Sequence, residues 1–384
     1  MTQRRIIAYS LIVIGVVAIA FITYAWRQDA ALHESPQLDN GVTVNGTTDA
    51  KNNSVPTEVE SLSIVAENLE IPWDIAFLPD DSMLVTERPG RVVHIESGRT
   101  YLIEGVEHVG EGGLMGITLH PDFENNKYIY LYQTTRTQEG LRNRVVRYTY
   151  VNENLSFERV IIDALPSAPY HDGGRIEFGP DDMLYVTVGD ATNESAAQDP
   201  NSLAGSILRI HDDGSIPDDN PFNNAVYSYG HRNPQGLAWD DAGRLWSTEH
   251  GRSGAQSGLD EINLIESGQN YGWPESEGNT VQQGTVGPEH HSGASDTWAP
   301  ASAVYQNGSI FFGGLRGAAL YEAVLREDEV IELKEHFKGE FGRIRSVRLG
   351  PEGYLYLTTS NRDDRGNPSA NDDRIIRVHP STLN

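Results

Sequence analysis

His171 and Asp190 stand near the two ends of a stretch reading PYHDGGRIEFGPDDMLYVTVGD, from Pro169 to Asp190. An alternating run (RIEF), a turn signal (GPDD) and a β-rich run (LYVTV) predict a hairpin. A turn centred on Pro180-Asp181 sets His171 opposite Asp190. Imidazole beside carboxylate has the form of a general base with its orienter, because the carboxylate fixes the ring tautomer and stabilises the imidazolium. One such pair is weak evidence by itself, since both residues are common in loops.

Other polar residues share this kind of position. Arg232 and Asn233, in YGHRNPQG, supply a fork of donors and an amide. Arg343 and Arg345 are two apart in a strand-like run, which puts them on one face. Arg316 is the sole charge in the small-residue loop GGLRG. Any one of these arginines reads as half of a surface ion pair. Aimed at a single opening, they predict an anionic ligand with several carboxylates or phosphates.

Metal signals are poorer. No His/Cys spacing suggests zinc and no Asp-rich run resembles an EF-hand. A Gly-rich loop such as STEHGRSG, Ser247–Gly254, could offer backbone carbonyls to a hard ion such as Ca²⁺. The segment DDRGNPSANDD, Asp363–Asp373, reads as an ordinary loop. Neither a dinucleotide glycine fingerprint nor a P-loop is present.

The elements that must position these groups recur. A short apolar strand, a Pro/Asp/Gly turn and a β-rich strand repeat in Ile75–Arg88, Ile117–Thr134, Ile176–Asp190, Leu237–Gly251 and Val347–Asn361, with a weaker copy at Ala303–Leu315. Their turns fall near residues 79, 121, 180, 241, 307 and 351. Such spacing predicts an all-β, six-bladed β-propeller, with loop insertions in the longer repeats. Tyr321–Phe337 is the main stretch with a helical period, and a partly strand reading of it stays open. In a propeller, equivalent positions of every repeat lie at one axial end. Glu111, His171, Arg232 and Arg343 precede their turns by similar intervals, and Glu87-Arg88, Asp190, Glu249-His250 and Ser360 follow the second strands. Both sets are expected to ring one mouth of the channel.

Bulk properties narrow the partners. The 384 residues carry a formal charge of −26, which argues against a nucleic-acid partner. Arg4 and Arg5 precede an apolar run from Ile6 to Trp26 that is long enough to span a bilayer. The charge asymmetry predicts a body outside, on the periplasmic or extracellular side of a cell membrane, and the length of the run with no convincing small-residue cleavage site after it favours an uncleaved signal-anchor over a cleaved signal. The expected organisation is a membrane anchor or signal segment over residues 1–27, a flexible polar linker over 28–60 and the propeller over 61–384. The chain has no cysteine, which a domain this large does not need for its core.

Taken together, GEGGLMGITLHPDF, HDGGRIEFGPDD, SYGHRNPQGLAWD, DEINLIESGQNYGWP and FGRIRSVRLGPEGYLYLTTS resemble the soluble quinoprotein sugar dehydrogenases. The likeness runs from about Ser61 to Val378. It implies a six-bladed propeller that binds pyrroloquinoline quinone (PQQ) and Ca²⁺ and oxidises an aldose at C1 to the lactone, with an external electron acceptor. It further implies a catalytic set of His171 as base, Asp190 as its carboxylate and Glu111 near quinone and substrate. By the same resemblance Arg232, Asn233, Arg316, Arg343, Arg345 and Ser360 contact PQQ, and the carbonyls of Gly251 and Arg252 bind the calcium ion. Arg252 departs from the proline common there, and Glu111 from a glutamine. Two other readings of a propeller stay open: a metal-dependent lactonase, and a non-catalytic, membrane-tethered recognition module.

Overall fold

Five-residue turns organise the architecture. The computed structural model describes residues 37–39, 43–44, 61–254 and 257–383. Leu78–Ser82, Gly179–Met183, Asp240–Arg244 and Gly350–Tyr354 are closed by the same pair of backbone hydrogen bonds. In each, the fourth residue is left-handed: Asp81, Asp182, Gly243 and Gly353. Asp and Gly tolerate that conformation, which is why the repeats are punctuated by these residues.

Each turn joins the first two strands of a blade, and six antiparallel sheets result. The first strands are Pro72–Phe77, Leu114–Leu119, Ile176–Phe178, Pro234–Trp239, Pro300–Gln306 and Ile344–Leu349. They face the central axis, and contacts between successive blades run round the ring and close from the sixth to the first. Second strands such as Leu184–Val188 and Leu355–Thr359 are buried at every residue. Covered on both faces, they read as apolar runs rather than alternations. Leu62–Glu67 pairs with Ile375–Val378, so the sixth blade joins the two ends of the described body and locks the ring.

The expected six-bladed propeller is therefore the fold. Tyr321–Phe337 is not helical: Ala319–Arg326 and Glu329–His336 form the outer hairpin of the fifth blade. Glu329–His336 is an outermost strand facing solvent, and its charges obscure the two-residue alternation. Within 28–60, Gln37–Asp39 and Thr43–Val44 add edge strands to the first and sixth blades. The apolar run Ile6–Trp26 and the rest of 28–60 lie outside the described residues. No described helix is long and apolar enough to cross a membrane.

Below the mouth, the axis is filled by charge. Asp74 of the first blade accepts from Arg348 Nε and Nη2 of the sixth, both at 2.8 Å, and pairs with Arg175 of the third. Arg348 also pairs with Glu177. Despite complete burial, which would raise it, the Asp74 carboxyl is held low by Arg175 and Arg348. This plug gives the site above it a floor.

Candidate functional site

Just before the third blade begins, the chain abandons regular pairing. His171, Gly173 and Gly174 all have positive φ, at 63°, 66° and 105°. For histidine that backbone is unfavourable and persists only where neighbours impose it. Here they do. The His171 N–H donates to Glu111 Oε2 at 3.0 Å, and its carbonyl accepts from the Ala191 N–H at 3.2 Å. A Cβ on Gly189 would lie 2.0 Å from that carbonyl, so only glycine permits the approach.

Asp190 is fully buried, and its Oδ1 lies 2.8 Å from His171 Nδ1. The same carboxylate accepts from the Thr192 N–H at 2.7 Å and from Trp273 Nε1 at 2.9 Å. Fixed by these donors, it holds the proton on Nδ1 and leaves Nε2 as the basic nitrogen. The hairpin register is one residue off the expectation, with Ile176 opposite Val186 rather than Tyr185. The left-handed Asp182 causes this by shifting the turn. His171 and Asp190 meet all the same, through the irregular foot and not through strand pairing.

A cavity of about 610 Å³ opens at this end of the axis, within the size range of small-ligand sites. Glu111, His171, Arg232, Gly251, Arg252, Arg316 and Arg343 line it, so most of the predicted set does share one mouth. Arg232 is buried over the Trp273 ring at 5.2 Å and gives Nη2 to Ser253 Oγ at 3.0 Å. Its Nε and Nη1 are buried without a partner. Desolvation pulls this guanidinium below its ordinary value, against the pull of Asp190 and Glu111. Arg316 is exposed, and no carboxylate among the described residues pairs with it. Arg343 is held by Asp363 at 2.8 Å.

Glu87, Arg88 and Glu249, also expected at the mouth, do not line the cavity, and four predicted site residues lie behind its wall. Asp190 is one. Asn233 spends Oδ1 on the Gly173 N–H at 3.0 Å, while its Nδ2 is buried without a partner. Ser360 turns its hydroxyl to Asp363 at 3.3 Å. Arg345 does not sit beside Arg343, because a bulge between Ile344 and Ser346 breaks the alternation. It lies deeper, on Gln235 Oε1 at 2.6 Å with Nε unpartnered, and burial pulls it down to about 9.

Glu111 is committed on both oxygens: Oε2 to His171 and Oε1 to Arg365 Nη1 at 2.8 Å. Burial alone would raise its carboxyl, but His250, Arg365 and the His171 N–H together hold it at about 2. His250 is brought down to about 4, by burial first and by Arg345 and Arg232 against the pull of Asp260 and Glu111. Its Nε2 has no partner.

The backbone around Gly251 is also tightly built. A Cβ there would meet the Leu259 carbonyl at 2.2 Å. Asp260 accepts from the Gly251 N–H at 2.8 Å and, through its other oxygen, from Thr297, Trp298 and Ala299. Among the described residues no three His, Cys, Asp or Glu side chains converge as a metal group. A cation at this loop would have to use carbonyl oxygens.

Reading the sequence alone missed Tyr170, Asp260 and Arg365 in the lining. Asp260 opens the DEINLI motif and was within reach. Asp363–Asp373, expected as an ordinary loop, instead delivers Asp363 to Arg343 and Arg365 to Glu111.

A profile of the glucose/sorbosone dehydrogenase family matches residues 69–367. The aldose sugar dehydrogenase YliI of Escherichia coli is 33% identical over 78% of this chain and 90% of its own. Quinoprotein glucose dehydrogenase B of Acinetobacter calcoaceticus is 36% identical over 55% of this chain and 52% of its own. The PQQ-bound aldose sugar dehydrogenase of Streptomyces coelicolor superposes with a TM-score of 0.76 at 38% identity, covering 84% of this chain and 99% of that one.

Proposed function

The chain belongs to the glucose/sorbosone dehydrogenase family of oxidoreductases, and from that premise we propose that it oxidises aldose sugars at the C1 hydroxyl, with PQQ and Ca²⁺ as cofactors. One observation carries the reading. Buried polar groups without a partner in the cavity wall (Arg232 Nε and Nη1 and His250 Nε2) gather at one cavity that also exposes Arg316, with Asn233 Nδ2 and Arg345 Nε unpartnered behind that wall. Buried donors are rarely left unpaired without reason. A planar tricarboxylate satisfies them, and Arg232, Arg316 and Arg343 are the residues to hold its carboxylates. The Gly251 and Arg252 carbonyls are hard donors suited to Ca²⁺.

When bound, PQQ supplies the hydride acceptor and Ca²⁺ the polarisation of its carbonyl. This chain's residues do the rest. His171 Nε2 takes the proton of the C1 hydroxyl as C1 loses a hydride, and the two losses together convert the hemiacetal to a lactone. Asp190 stabilises the imidazolium so formed. Glu111, expected at first as a catalytic group, serves here as a positioning group on the His171 backbone. The charged plug of Asp74, Arg175 and Arg348 closes the channel beneath. Electrons then pass to an external acceptor, and the Ile6–Trp26 run anchors the propeller outside the cytoplasm.

The lactonase reading asks for carboxylates free to converge on an axial metal. Glu111 and Asp363 are instead bound to arginines. The test is aldose-dependent reduction of an artificial dye by apoprotein given PQQ and Ca²⁺. Activity that needs PQQ and disappears in His171→Ala supports the proposal. Turnover near wild type in His171→Ala removes the assigned base.

A further inference from the structure

Arg365 comes from the loop that joins Leu355–Thr359 to Ile375–Val378 in the sixth blade, 254 residues from the Glu111 it contacts. We infer that Arg365 is a positioning residue for the catalytic base, acting through Glu111 to hold His171 in its left-handed backbone. The inference rests on the function proposed above for its kinetic consequence, though not for its structural one.

The geometry forms a strap around the three residues from Pro169 to His171. The Glu111 N–H donates to the Pro169 carbonyl at 2.9 Å, and Glu111 Oε2 accepts from the His171 N–H at 3.0 Å. Tyr170 is thus bracketed from both sides by a single residue. Arg365 fastens the bracket from above, with Nη1 on Glu111 Oε1 at 2.8 Å and its guanidinium 5.6 Å from the centre of the Tyr170 ring. Asp363 anchors the start of the same loop, accepting from the Arg365 N–H at 3.1 Å with one oxygen and from Arg343 with the other.

Physical reasons make this more than a surface ion pair. A histidine at φ +63° sits in a costly conformation, and the Glu111 bond opposes its relaxation. A carboxylate with one oxygen fixed by a guanidinium cannot swing away from the backbone N–H it accepts from. A base has to hold its place to well under an ångström, so loosening its backbone reduces turnover while leaving ligand binding nearly intact. Arg365 itself is 45% exposed in its side chain, so its removal leaves the core packing untouched.

The experiment compares wild type, Arg365→Ala and Arg365→Lys in two measurements. In the PQQ-loaded enzyme, Arg365→Ala is expected to lower kcat roughly 10- to 100-fold with little change in the aldose KM, and Arg365→Lys to recover most of the loss. In the apoprotein, hydrogen exchange at the His171 amide is expected to quicken in Arg365→Ala and to stay slow in Arg365→Lys. A raised KM at unchanged kcat would make Arg365 a substrate contact and overturn the inference, as would exchange at His171 that ignores the substitution. Failure of wild type to take up PQQ defeats the proposed function, and the exchange measurement then decides the strap separately.

Discussion

Replacing Asp190 with asparagine isolates the role of the carboxylate behind the base. In the native protein its two oxygens accept three hydrogen bonds, from His171 Nδ1 at 2.8 Å, the Thr192 N–H at 2.7 Å and Trp273 Nε1 at 2.9 Å. Asparagine has one oxygen. If that oxygen faces Trp273, the amide NH₂ meets His171 Nδ1 and forces the proton onto Nε2, where a base cannot use it. If it faces His171, the indole N–H is left buried against a donor. Leaving one buried donor unpaired costs about 1–3 kcal/mol of stability. Loss of the correct tautomer removes general-base assistance, a factor of about 10² to 10⁴ in kcat, equivalent to about 3–5 kcal/mol. Asp190 does not line the cavity, so PQQ uptake is expected to persist. The assay is dye-linked turnover of reconstituted Asp190→Asn beside a cofactor titration of the same preparation. Turnover within about threefold of wild type, with the cofactor loaded and the urea midpoint unchanged, would refute the reasoning that both oxygens of the carboxylate hold the base in its tautomer.

Three further outcomes are expected. Asp74→Ala strands Arg175 in the axis, leaves Arg348 with Glu177 alone, and is expected to cost about 3–5 kcal/mol in urea unfolding, because a buried charge loses its partner. Gly189→Ala places a methyl 2.0 Å from the His171 carbonyl, so turnover is expected to fall with little effect on PQQ binding. Glu261 is raised from 4.5 to about 8, by burial first and then by the Glu249 carboxylate. Its folded form keeps a proton that the unfolded chain gives up, so stability is lost as pH rises from about 4.5 to 8. Glu261→Gln mimics the protonated side chain, and its melting temperature is expected to vary less than that of wild type across this window.

The repeats declared themselves in sequence because their cause is local. A left-handed fourth residue demands Asp or Gly, and a doubly covered second strand demands an apolar run, so hairpins such as Ile176–Asp190 are written in fifteen residues. The cluster of arginines at one mouth followed from the symmetry of the propeller. What escaped depended on departures from regularity. Arg345 went deep because a bulge interrupts its strand, and the third hairpin slipped by one residue at Asp182. Arg365 escaped because its loop has the composition of a solvated surface, and its partner Glu111 is remote in sequence. The outer hairpin of Ala319–Arg326 and Glu329–His336 escaped because a strand with one wet face and many charges can mimic a helical period.

Calorimetric titration of the apoprotein with PQQ in the presence of Ca²⁺ tests most directly whether this mouth grips a flat polyanion. The account predicts a single site per chain, with affinity much reduced in Arg232→Ala and in Arg343→Ala while both variants stay folded. Well-folded wild-type protein that releases no heat on PQQ addition, or uptake that is indifferent to both arginines, would contradict it.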